Sequence, residues 1–261
     1  MKTKNYFIIA ACCISSTLFA QETTSEPELL LQENKTEVTK NNLVKFNVVP
    51  LGWGTGSLSY ERKIAKRFSV GATVNYRPNS HAPFKNELED LINDGDDSSF
   101  DINKLKYSNF SIAPEVKFYL GKKGAFHGFY LAAFAKWENT KIDYTYRFEE
   151  LSIINQDPEL PLSGTIKGFT GGLYFGAEWH LGKNIYLDWQ IIGGNFGSAN
   201  IDVTAHKALT LEEQNELRDF AEDLKDSFSD IDYEINGQGV KLKGKMPWAG
   251  LRTGISIGYR F

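Results

Sequence analysis

A hydrolase or acyltransferase needs a nucleophile, a base and an orienting acid at one depth, and the four histidines, His81, His127, His180 and His206, limit where a base could sit. His81 and His206 fall in long connections, His127 in a short turn, and His180 on the polar side of a strand near a short turn. His206 follows Asp202 and Thr204, but a histidine in an acidic loop is ordinarily solvated. No cysteine or histidine spacing suggests zinc, and no metal or cofactor is expected. Asn93-Asp94-Gly95-Asp96-Asp97 with Asp101 could offer oxygens to calcium, yet the stretch lacks the glycine and closing glutamate of an EF-hand loop. Gly171-Gly172 and Gly193-Gly194 read as close packing within strands rather than as phosphate loops. Catalysis is therefore not expected.

The remaining chemistry lies in charges at alternate strand positions. Strand side chains point to opposite faces with period two. Phe68, Val70, Ala72, Val74 and Tyr76 oppose Ser69, Gly71, Thr73, Asn75 and Arg77, and Phe110 to Leu120 opposes Ser111, Ala113, Glu115, Lys117 and Tyr119 in the same way. Phe169, Leu173, Phe175, Trp179 and Leu181 share a face against Thr170, Tyr174, Glu178 and His180. In the last fourteen residues, Ala249, Leu251, Thr253, Ile255, Ile257, Tyr259 and Phe261 oppose Gly250, Arg252, Gly254, Ser256, Gly258 and Arg260. The polar face thus collects Glu61, Lys63, Arg77, Glu115, Lys117, Lys136, Glu138, Glu178, Asp188, Arg252 and Arg260. If that face lines a narrow interior, the charges must pair, because an unpartnered buried ion is very costly. The favoured reading is a structural network of Glu61, Lys63, Glu115, Lys117, Glu178, Asp188, Arg252 and Arg260 that plugs the interior. Glu178 and Asp188 should face each other, with Lys117, Arg252 or Arg260 supplying a cation.

These positions require about eight strands: 43–51, 56–64, 68–77, 106–120, 129–147, 164–181, 185–195 and 248–261. Most reach the roughly 9–11 residues that a tilted membrane-spanning strand needs. Short turns (65–67, 121–128, 182–184) alternate with longer connections (78–105, 148–163, 196–247), while Gly52-Trp53-Gly54-Thr55 closes the first pair tightly. Phe68, Phe129, Trp179 and Phe261 lie beside short turns and Tyr76 and Trp137 near long ones, as two interface girdles require. Thr210 with Glu213 forms a capping box, and Leu217, Phe220, Ala221, Leu224 and Phe228 recur at helical spacing, which predicts an amphipathic helix over about 210–229. Phe84, Leu88, Leu91 and Ile92 predict a shorter one that packs against it above the rim.

The amino-terminal segment fits the same picture. Lys2 and Lys4 precede an apolar run from Tyr6 to Leu18, and Leu18-Phe19-Ala20 before Gln21 offers a cleavage site, so residues 1–20 read as a secretory signal peptide cut between Ala20 and Gln21. Ile9-Ala10-Ala11-Cys12 superficially matches a lipoprotein box, but the apolar stretch before it is too short. Both cysteines, Cys12 and Cys13, go with the signal, leaving no thiol chemistry. Residues 21–42 are polar and acidic and read as a disordered periplasmic lead-in, followed by a single domain over 43–261. The mature charge of about −6, from 33 acidic side chains against 29 basic ones less Lys2 and Lys4, argues against nucleic acid. No later stretch offers the roughly 20 consecutive apolar residues of a membrane helix, a test that barrel strands escape because only every second residue is apolar.

With this strand number, this alternation of turns and the GISIGYRF ending, residues 43–261 resemble the small eight-stranded outer-membrane β-barrels of the OmpA/OmpX type. NVVPLGWGTGSLSYERKIAKRFSV (47–70) also resembles the first hairpin of an uncharacterised family of such barrels from Gram-negative bacteria. The resemblance implies an all-β, antiparallel, up-and-down transmembrane barrel in the outer membrane, its amino terminus periplasmic and its long connections external. It implies outer-membrane lipid and lipopolysaccharide as surroundings, and insertion by the barrel-assembly machinery, for which Ile255, Ile257, Tyr259 and Phe261 would be the signal. No peptidoglycan-binding domain follows Phe261, so the anchoring role of two-domain members does not carry over. The function expected is a plugged barrel acting through its external loops in envelope structure or adhesion, with an unidentified protein or matrix ligand. A narrow channel for ions or small solutes is the alternative, and an outer-membrane enzyme the third.

Overall fold

Alternation along the strands fixes which way each one faces, and hydrogen bonding then brings them round into a ring. A computed structural model describes residues 40–81, 83, 102–148, 159–227 and 230–261. The signal cleavage site at Ala20 and Gln21, nearly all of the lead-in, the helix expected around 84–92 and the acidic stretch 93–101 lie outside the described residues. Strands β1 (Asn42–Asn47), β2 (Gly56–Ala65), β3 (Phe68–His81), β4 (Lys106–Tyr119), β5 (Gly128–Arg147), β6 (Glu159–Gly182) and β7 (Ile185–His206) pair antiparallel in succession. Helix α1 (Leu211–Ser227) and strand β8 (Ile231–Asn236) follow, then β9 (Gly239–Arg260), which pairs with β7. The lower half of β9 also pairs with β1, from Leu43 opposite Arg260 to Asn47 opposite Ser256, and this closes the sheet. Reciprocal backbone bonds between Asn42 and Phe261, 3.1 and 2.9 Å, complete the seam. Among the described residues no helix is long and apolar enough to cross a membrane.

Several expectations change. Among the described residues there are nine strands, eight in the ring and β8 beside the upper half of β9. The connection expected over 196–247 is also much shorter, since β7 runs on to His206 and β9 begins at Gly239. Alternation persists beyond the expected strand ends with its sense reversed. Ala199 and Ala205 are buried on the inner side, while Asn200, Lys241, Lys243 and Lys245 occupy the outer side. β6 likewise begins at Glu159, before the expected 164. Strands β5, β6, β7 and β9 have 20 to 24 residues against 6 in β1 and 10 in β2, so the rim is tall on one side and low on the other.

The tall wall carries its own small core. Phe148, Leu160, Ala205, Leu209, Leu217, Ala221 and Ile235 pack together, flanked by Tyr146, Leu162, Tyr233 and Val240. Helix α1 starts with the reciprocal cap of Thr210: its backbone N–H donates to Glu213 at 2.8 Å, and its hydroxyl accepts from the Glu213 N–H at 3.3 Å. Leu217 and Ala221 face this core, whereas Phe220, expected on the same stripe, is exposed.

Candidate functional site

Each inner position described below is delivered by a strand whose opposite face is apolar, so the alternation that builds the ring also gathers its charges inside. The lowest layer draws on seven strands. Lys45 of β1 reaches Glu61 of β2 and Asp188 of β7, the latter at 2.5 Å; Lys117 of β4 reaches the same two carboxylates at 3.0 and 2.9 Å. Ser69 of β3 donates to Glu61 at 2.5 Å, and Tyr130 of β5 donates to Asp188 at 2.5 Å while its ring lies 4.1 Å from the Lys117 ammonium. Glu178 of β6 is opposite Asp188 in register. The Tyr119 hydroxyl lies 2.5 Å from Glu178 and 2.6 Å from Glu61, and its single proton serves one of them at a time. All of these side chains are buried.

Glycines make room for this layer. Tyr130 lies over Gly176, its cross-strand partner, and a side chain on Gly176 would occupy the place of the Tyr130 hydroxyl. A Cβ on Gly258, opposite Lys45, would stand 2.8 Å from the lysine stem.

Below the charges, the turn between β4 and β5 folds inward. Phe126 takes a left-handed backbone conformation, φ +70°, uncommon for an aromatic residue, and its ring is fully buried against Tyr119 and Tyr186 with Leu43 and Ala125 alongside. Above them, Arg252 of β9 pairs with Glu115 of β4 at 2.6 Å and lies about equally far, 4.5 and 4.4 Å, from the rings of Phe134 and Tyr174. Over this floor is a cavity of about 260 Å³ lined by Asn47, Ser57, Asn75, Ser111, Asn195 and Lys136 among others. Near the upper rim Glu138 takes a bond from Lys136 at 2.8 Å and one from the Trp248 indole at 2.8 Å, and Arg77 donates to the His81 carbonyl at 2.7 Å over the Tyr107 ring.

Of the eight charges expected to form the network, Glu61, Lys117, Glu178 and Asp188 meet in the lower layer, and Glu115 and Arg252 in the upper one. Lys63 and Arg260 do not join them. Lys63 is partly exposed near the β2–β3 turn and makes no ion pair among the described residues. Arg260 sits at the seam, donating to the Lys40 carbonyl at 2.6 Å and to Tyr186 at 2.8 Å. Both lie too near the strand ends for inward parity to place them in the interior. The cations at Asp188 are Lys117 and Lys45, not Arg252 or Arg260. Lys45 was legible in LVKFN, where Leu43, Lys45 and Asn47 share a face, but six residues make a weak alternation. Phe126 had no signal, because a turn residue has no parity.

Chemically, the lower layer is closed. Carboxylate oxygens of Glu61, Glu178 and Asp188 lie within 4.8 Å of one another, but the Lys45 and Lys117 ammonium groups already occupy the position a cation would take. His180, expected to face inward, is exposed and held to the Lys183 carbonyl at 2.8 Å, because β6 has passed the end of the ring there. Its ring and those of His127 and Tyr186 cluster at the short-turn end, while His81 and His206 end strands at the opposite rim.

The family described as "Protein of unknown function (DUF3575)" matches residues 28–221 of the chain. No curated protein matches it. Among solved structures, the translocator domain of the autotransporter NalP from Neisseria meningitidis is similar at 10% identity, with 85% of this chain and 88% of that one covered and a TM-score of 0.35.

Proposed function

The chain belongs to the DUF3575 family, and we propose that it is a transmembrane β-barrel of the outer membrane, of the small eight-stranded OmpA/OmpX kind, with a plugged lumen. It acts through its external connections in envelope structure or adhesion. The observation that carries this is an inversion of the usual burial. Inside, Lys45 is 1% exposed and Asp188 0%; outside, Leu173 is 68% exposed and Phe169 63%. In water such a surface would be a large unsatisfied apolar area, whereas lipid covers it at no such cost. Its height fits a bilayer. From Trp179 to Phe169 the outer face of β6 spans ten residue steps, about 33 Å along the strand and, at a tilt of about 40°, about 25 Å across a membrane.

The short turns then face the periplasm, and the tall wall with α1 stands outside, where a scaffold-borne excursion is the usual place for recognition. The test is fractionation of the mature protein together with boiling-dependent migration on gels. Outer-membrane recovery and a heat-sensitive shift are expected, and a soluble periplasmic monomer overturns the reading. Phe220→Cys, on the exposed side of α1, should be labelled by an impermeant thiol reagent on intact cells. Protection from that reagent contradicts the external placement.

The polar cavity above Arg252 favours a second reading, a narrow channel. Conductance in a planar bilayer separates the two.

A further inference from the structure

The outer face of the tall wall changes abruptly from apolar to basic. Trp137, Phe169, Ser198 and Pro247 are opposite one another across β5, β6, β7 and β9. Two residues higher on the same face the register brings together Asn139, Lys167, Asn200 and Lys245, and Lys141 follows Asn139 on β5. All three lysines are exposed, and among the described residues none of them makes an ion pair. Their neighbours differ. Lys243, two residues above Lys245 on the same face, is held by Asp202 at 2.7 Å, and Asp143, two residues beyond Lys141 on the same face, accepts bonds from Asn79 and Ser163 at 3.1 Å each.

We infer that Lys141, Lys167 and Lys245 form a binding row for the phosphates of a diphosphorylated glycolipid of the lipid A type in the outer leaflet. The inference rests on the membrane reading above, which places this row at the upper edge of the hydrocarbon. At that height the anionic groups of a bilayer are lipid phosphates, and an ammonium group binds a phosphate as a point charge without the geometry a guanidinium would demand. Lys167 and Lys245 stand two strands apart, about 10 Å, which suits two separated phosphates on one headgroup better than a single one. Their long stems can lie along the apolar surface below while the charge stays at the interface. Asn139, Asn200 and Thr165 on the same face add amide and hydroxyl donors for the sugar and phosphate oxygens. The row is confined to the tall side, so lipid would be held along one sector of the wall.

The test uses the full mature chain inserted first into vesicles of phosphatidylcholine alone, then exposed in neutral detergent to diphosphorylated lipid A, its monophosphorylated form, phosphatidylglycerol or inorganic phosphate, with binding read by native mass spectrometry. Diphosphorylated lipid A should bind most tightly and lose affinity with salt. The variant K141Q/K167Q/K245Q should bind it roughly tenfold to hundredfold more weakly, while K66Q/K122Q/K123Q, which removes as many charges from the short turns, should bind as the wild type does. Equal binding by the row variant and the wild type overturns the site, as does equal binding of phosphatidylglycerol or inorganic phosphate. Insertion into phosphatidylcholine requires none of these lysines. A chain that stays out of those vesicles therefore overturns the membrane reading itself, and one that enters them without lipid selectivity overturns only the site.

Discussion

Glu178 and Asp188 face each other across β6 and β7, both fully buried, and neither ammonium group that serves Asp188 comes from those two strands. Lys45 arrives from β1 and Lys117 from β4, so the layer ties distant parts of the ring together. Removing one cation leaves the buried carboxylates to share the single ammonium group that remains. Lys45→Met is expected to lower the unfolding free energy by about 3–5 kcal/mol, read from urea titration of the folded protein in micelles. Pairing it with Glu61→Gln, which removes one acid with the cation, should recover part of that loss. Equal stability of Lys45→Met and the wild type would show that the layer holds nothing.

Two blocked levels have a different consequence for transport. Replacing Glu115 and Arg252 together by serine removes the floor of the upper cavity but leaves the Lys45 and Lys117 layer and the Phe126 ring beneath it. Both the wild type and E115S/R252S are expected to leave a planar bilayer at its bare conductance. Stepwise current through the wild type would favour the channel.

Phe126 contributes a buried ring at a backbone angle that glycine accepts more readily. Phe126→Ala loses the ring and keeps the unfavourable angle, at a cost of about 3–5 kcal/mol. Phe126→Gly loses the same ring but relieves the angle and should be the more stable of the two by about 1 kcal/mol. The reverse order in denaturant titration would mean that the turn relaxes to another conformation once the ring is gone.

The cap formed by α1, β8 and the small core beneath them should come apart without the ring. Leu217→Asp puts a charge into the small core of Phe148, Leu160, Ala205 and Ile235, and Thr210→Ala removes a cap worth about 1 kcal/mol. Hydrogen exchange should show lost protection in α1 and β8 with the lower halves of β1 to β4 unchanged. Loss of protection throughout the ring would make the cap part of one cooperative core.

What could be read from the residues follows from where alternation is strong. Phe68 to Tyr76 and Phe110 to Leu120 set large apolar side chains against small or charged ones, and their facing was legible together with the short turns that precede Phe68 and follow Leu120. The tall wall was not, because outside the apolar band Asn200, Lys243 and Lys245 replace phenylalanine and tryptophan on the outer side, and the pattern then resembles an ordinary polar loop. The β8 strand was hidden for the same reason, its six residues alternating without an apolar outer side. The charged interior was visible residue by residue from parity, but which charges meet was not. Lys45 and Phe126 act at the ends of elements, where parity has too few residues to work on.

Strand β9 has three partners: β7 along its length, β8 beside its upper half and β1 beside its lower half. Its final bond joins residues 219 positions apart, Asn42 and Phe261. Closure of the ring and completion of the cap therefore await the same segment, and until it arrives β1 and β7 both present open edges capable of pairing with the wrong chain. Assembly then becomes a single late step rather than a gradual one. A defect anywhere in residues 239–260 should thus appear as failed closure and aggregation before it appears as a weakened ring.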